Sequence, residues 1–168
     1  MNITIRNETD SDVNAISEIT KAAFADCLYG NHTEQFIITA LRAAGALTVS
    51  LVAEADSNVV GHVAFSPVTV SDGTLGWYGL GPVSVLPSLQ KQGIGKSLIR
   101  EGLSLLKASG AKGCTLVGDP IYYHRFGFKN LPHLVLEGVP QQYFLALPFD
   151  ETKTSGIVTF HKAFTAEQ

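Results

Sequence analysis

An α/β domain, with helices laid on a central mixed and mostly antiparallel sheet, is predicted by three features of the sequence. Apolar periodicity switches along the chain between the 3.6 residues of a helix and the two of a strand, giving the order βααβββαβαββ. Three successive strand-like segments are joined only by ADSN and SDGT. Such turns are too short for helical crossovers, so these strands should form an antiparallel meander. No repeat, low-complexity tract or linker interrupts the 168 residues, a length suited to one domain (1–168) with its own core. The core is expected at about 2–149, with 150–168 as a C-terminal tail or extra strand.

Residues 2–6 alternate and read as the first strand. Asp10 or Ser11 then caps a helix whose apolar residues Val13, Ile16, Ile19, Ala23 and Phe24 fall at helical spacing. The polar stretch DCLYGNHTE separates it from a second helix carrying Phe36, Ile37, Ala40 and Leu41, which Gly45 ends. LTVSLVAE has period two, residues 59–70 read as one continuous strand, and GWYGLGPVSVLP completes the meander. From Gln92 the period is helical again, with Ile94, Leu98, Ile99, Leu103, Leu105 and Leu106 in one stripe before Gly110. GCTLVG is a short buried strand and residues 121–126 a short helix. Two strands follow near 134–137 and 143–147, and GIVTFHKAF adds a further strand or packs as a tail.

Hydrophobic residues make up 45% and charged residues 16%, the balance of a globular chain. No apolar run reaches the roughly 20 residues of a membrane helix. MNITIRNETD lacks a basic-then-apolar leader, so no membrane association is expected. Two cysteines, Cys27 and Cys114, cannot build a disulfide framework, and a reducing cytoplasm is the expected compartment. His32, His133 and His161 are scattered without metal-ligand spacing, so no metal is expected. The formal charge of −3 argues against a nucleic-acid binder, yet charge is unevenly spread. Residues 91–129 hold seven bases and two acids, whereas residues 1–90 hold three bases and nine acids. An anion bound by the second half would account for that asymmetry.

The place for such an anion is QKQGIGKS, where glycines, lysines and a hydroxyl meet between a strand and a helix. A P-loop needs a glycine at position 90, which is Gln90, and a dinucleotide fingerprint needs one at 98, which is Leu98. Q-x-x-G-x-G fits without a gap on Gln90, Gly93 and Gly95. Glycines there let the backbone approach an anion closely, and amides at a helix start favour negative charge. Lys91 and Lys96 add charge and Ser97 a hydroxyl.

This motif resembles the pyrophosphate-binding loop of the GNAT N-acetyltransferases, which share the order of elements. IYYHRFGF, with Tyr123 four residues before Gly127, is similar to the family's Y-x-x-x-G-F signature. The stretches LVAEADSNVVGHVAFSPVTV, GLGPVSVLP and GDPIYYHRFGF resemble a bacterial, YhbS-like subgroup. The resemblance runs roughly from the first strand to Phe149. It implies acetyl-CoA as co-substrate, with the diphosphate held by Gln90, Lys91, Gln92, Gly93, Ile94, Gly95, Lys96 and Ser97. It also implies that the strand GLGPVSVLP parts from its neighbour, its freed backbone at Val83, Ser84 and Val85 binding the pantetheine arm. Gly79, Gly81 and Pro82 are independent signs of a bulged or splayed strand there. GDPI stands where many members carry an asparagine in a longer segment.

For the chemistry, the resemblance implies Tyr123 as the acid that protonates the leaving thiolate, while Tyr122 reads as core. His62 is the candidate base, its ordinary pKa suiting proton removal near neutrality. Hairpin counting places it roughly opposite Val83, where packing in the strand is the competing reading. Asp119, ahead of Pro120, reads as a helix cap. The resemblance further implies an amine acceptor, a small molecule or a peptide, held by residues 26–34 and 137–142, and allows a homodimer. The rival readings are a non-catalytic acyl-CoA sensor and a P-loop NTPase.

Overall fold

The structure, a computed structural model, describes residues 2–27 and 32–168. The chain opens with β1 (Ile3–Asn7), α1 (Val13–Phe24) and α2 (Glu34–Ala43), and then runs through β2 (Val49–Ala55) and β3 (Asn58–Pro67). After β4 (Thr69–Val70) come β5 (Trp77–Val85), α3 (Ile94–Ala108), β6 (Gly113–Val117) and α4 (Pro120–Tyr123). β7 (Leu134–Val135), β8 (Phe144–Pro148) and β9 (Gly156–Thr159) complete it.

The meander is present as β2–β3–β5, and its first turn shows why. Asp56 and Ser57 both take positive φ, 50° and 68°, the twist-matched geometry of a two-residue hairpin. The main sheet has the order β1-β2-β3-β5-β6-β8. Every neighbouring pair is antiparallel except β5–β6, which α3 joins as a parallel crossover. α3 lays Ile94, Leu98, Ile99, Leu103 and Leu106 on one face of this sheet. Gly102 lets it come close, since a Cβ there would lie 2.1 Å from the Phe65 ring. On the opposite face Ile16 of α1 and Ile38 of α2 pack against Val52 of β2.

One expectation changes. Residues 59–70 are not one strand: Pro67, which has no amide to extend a ladder, ends β3. β4 then leaves for a second sheet of order β4-β9-β7. That small sheet buries Val70, Trp77, Leu134, Phe144 and Val158, with the Trp77 indole donating to Thr154 Oγ1 at 3.2 Å. In the C-terminal segment, residues 156–159 take the strand reading, as β9. Beyond β9, Ala163 packs on Ile37 and Leu41 of α2.

Candidate functional site

β5 has a second neighbour for only a third of its length. Among the described residues it pairs with β6 at Trp77–Gly79 alone, and from Leu80 onward β3 is its one strand neighbour. The punctuation seen in the sequence lies at this parting. Gly81 has φ +136°, a conformation side chains disfavour, and Pro82 has no amide to offer.

Antiparallel pairing alternates along a strand, so the direction of each free group follows. Leu86 N–H donates to Val60 C=O at 2.9 Å. Two residues back, Ser84 likewise turns its main chain to β3, while Val83 and Val85 turn theirs to the open edge. Contrary to expectation, the backbone groups of Ser84 are therefore turned to β3, whereas those of Val83 and Val85 face the open edge. Val85 C=O is already engaged, accepting from Gln90 Nε2 at 3.0 Å.

The turn into α3 provides the other half of the site. Lys91 and Gly93 adopt left-handed φ of 65° and 89°. The first helical bond runs from Ser97 N–H to Gly93 C=O at 3.1 Å, which leaves the amides of Ile94, Gly95 and Lys96 without helical partners. These amides and the β5 edge border one cleft of about 510 Å³. Of the residues expected from sequence, Val83, Ser84, Val85, Gln90, Lys91, Gly93, Ile94, Gly95 and Lys96 meet there, whereas Gln92, Ser97, Tyr123 and His62 do not line it.

Sequence reading missed Ala23, Phe24 and Leu89 in this wall, and it read Tyr122 as core without its second place in the lining. Tyr122 packs partly on the core, but its hydroxyl lies beside Gly95, where an added Cβ would be 3.7 Å away. Arg125 stacks over that ring at 4.6 Å and donates to Tyr122 C=O at 2.8 Å, bringing a cation to the rim. The basic excess of residues 91–129 was the available signal for Arg125.

Tyr123 packs beside Tyr122 edge to face, centroids 4.9 Å apart, and against Phe128. Gly118 makes room for it, because a Cβ there would lie 2.5 Å from the ring. Burial first, then Tyr122 and Cys114, push its hydroxyl up to about 12, so it remains protonated and able to donate. Asp119 is the expected helix cap, accepting from Ile121 N–H at 2.9 Å.

His62 is fully buried and does not line the cleft. Its partner on β5 is Ser84, not Val83, one position from the hairpin count. Its Nε2 lies 2.8 Å from Ser50 Oγ. Burial lowers its pKa, partly offset by Glu8. Among the expected acceptor-holding segments, residues 28–31 lie outside the described residues. Among the described residues no helix is long and apolar enough to cross a membrane.

A family model, an acetyltransferase (GNAT) domain, matches residues 47–130. Over 130 residues the chain is 36% identical to the N-acetyltransferase YhbS of Escherichia coli K12, covering 77% of this chain and 75% of the relative. The chain belongs to the GNAT acetyltransferase family. Among solved GNAT structures, it is similar to a Brucella melitensis acetyltransferase in complex with acetyl-CoA, at 50% identity and TM-score 0.87, over 97% of this chain and 98% of that one. It is also similar to Escherichia coli YhbS in complex with CoA, at 29% identity and TM-score 0.90, over 100% and 94%.

Proposed function

We infer that the chain is an acetyl-CoA-dependent N-acetyltransferase acting by direct attack of an acceptor amine on the bound thioester. The observation that carries this reading is the shared cleft: the free edge of β5 faces the same space as the unpaired amides that open α3. The two surfaces match the two ends of coenzyme A. Amides at the α3 start, with Lys91, Lys96 and Arg125 near them, suit a diphosphate. Val83 and Val85 suit the amide-bearing arm, and a fixed N–H at Val85 can meet the charge that develops on the thioester oxygen.

Transfer needs a proton for the leaving thiolate, and Tyr123 supplies it. It also needs the acceptor nitrogen to lose one, for which His62 is the base. Residues 26–34 and 137–142 hold the acceptor, a primary amine of a small molecule or peptide.

Calorimetry with acetyl-CoA, followed by thiol release in the presence of a panel of primary amines, tests the reading. Micromolar-range binding and amine-dependent thiol release are expected. Binding without release for any amine would instead make the protein an acyl-CoA sensor, and absence of binding at millimolar acetyl-CoA would remove the reading altogether.

A further inference from the structure

Among the described residues, β3 and β5 carry three buried polar side-chain atoms without a partner, His62 Nδ1, Ser66 Oγ and Ser84 Oγ, and His62 and Ser84 stand opposite one another on the two strands. Both side chains point away from α3, since Gly61, Val63, Val83 and Val85, which flank them, face its apolar stripe. The two residues are directly paired across the strands, which puts their Cβ atoms about 4.5–5.5 Å apart. Unpaired buried polar groups are rare in folded proteins. Two of them on directly paired residues, one of which lines the cleft, point to a common use.

The other edge of the imidazole fixes the proton positions. Nε2 lies 2.8 Å from Ser50 Oγ, and Ser50 bonds Glu8 Oε1. Arg42 grips Glu8 through two bonds of 2.9 and 3.0 Å. An ionised carboxylate can only accept, so Ser50 donates to Glu8 and its oxygen accepts Nε2–H. Nδ1 is then left with a bare lone pair. Ser84, in turn, belongs to the cleft wall with Ala23 and Phe24 at the end of α1.

We propose that Ser84 and His62 form a proton relay from the cleft, held in register by Ser50 and Glu8 as positioning residues. The proposal rests on the acetyl-transfer reading. As the acceptor nitrogen forms its bond to the thioester carbon, its proton passes to Ser84 Oγ, and the proton of Ser84 passes through one water to His62 Nδ1. The C–S bond breaks with its electron pair on sulfur, which takes the Tyr123 proton. His62 then returns its proton to solvent and Tyr123 regains one, which closes the balance. The charged groups around the ring are Glu8 and Asp12, which favour the imidazolium, and Arg42, which opposes it.

Nitrogen-15 spectra of the histidine rings, with calorimetry and kinetics on the same samples, test the relay. In the wild type, His62 should show a protonated Nε2 and a bare Nδ1 at neutral pH, and Ser50→Ala and Glu8→Gln should both give a tautomer mixture. A wild-type ring protonated at Nδ1 overturns the relay even if no acceptor amine has been found. Ser84→Ala and His62→Gln should lose about 10²-fold in kcat, the usual contribution of a positioned base, with KM for acetyl-CoA unchanged. Glu8→Gln should shift the pH profile of kcat, and Glu8→Asp should restore part of it. Wild-type rates and pH profile in His62→Gln, or an acetyl group retained on Ser84, would refute the relay. Loss of acetyl-CoA binding by the wild type would refute the acetyl-transfer reading instead.

Discussion

The side-chain amide of Gln90 donates to the main-chain carbonyl of Val85 across 3.0 Å, tying the loop before α3 to the free edge of β5. Both halves of the cleft are thus set by one bond between a motif residue and the strand it follows. Gln90→Ala should weaken acetyl-CoA binding about 3- to 10-fold, since a hydrogen bond of this kind contributes roughly 0.5–1.5 kcal/mol. Calorimetry reads it, and unchanged affinity would show that the edge holds its place unaided.

Gly93 sits at φ +89° where the loop becomes helix. Gly93→Ala forces a side chain into left-handed backbone and should cost about 1–2 kcal/mol of stability, seen as a lower urea midpoint. Weaker acetyl-CoA binding should accompany it as the amides of Ile94 and Gly95 tilt.

The two adjacent tyrosines separate cleanly. Tyr123→Phe should lower kcat about 10²-fold and leave acetyl-CoA affinity nearly unchanged. Tyr122→Phe, which removes the hydroxyl beside Gly95, should act mainly on affinity. The reverse pattern would move the acid to Tyr122.

Acid should destabilise the fold in two stages. His62 has a folded pKa below its ordinary 6.5, because burial outweighs Glu8. The unfolded chain therefore takes up that proton first, and stability declines as pH falls below 6.5. Burial works against the charge of Glu8, but contacts from His62, Arg42 and Ser50 outweigh it and hold the carboxylate at about 2 instead of 4.5. Its contribution is present above 4.5 and lost as pH falls towards 2. Urea midpoints of wild type and His62→Gln between pH 8 and 4 check this, and the variant should be flat through the first stage.

Lys91, Lys96 and Arg125 border one rim of the cleft. Replacing Lys96 and Arg125 with glutamine should weaken acetyl-CoA binding and also flatten its dependence on salt, because exposed charges are screened within about 10 Å at 0.1 M. A salt dependence as steep as that of the wild type would place the phosphates elsewhere.

What the residues determined by themselves is whatever depends on near neighbours in the chain. The α3 stripe, the ADSN hairpin, the Asp119 cap and the amide-rich turn at Gly93 all follow from periodicity and local backbone preference. Tertiary structure decided what depends on which strand lies beside which. Pro67 diverts β4 into a second sheet whose partner, β9, lies far along the chain. The β3–β5 register shifts between Val63 and Phe65, an irregularity that pattern does not reveal, so turn counting reached Val83 when the true partner of His62 is Ser84. Glu8, Ser50, His62 and Ser84 come together only because β1, β2, β3 and β5 lie side by side. No stretch of sequence brings those four residues close, since side-chain contact across a sheet is a property of register and not of spacing.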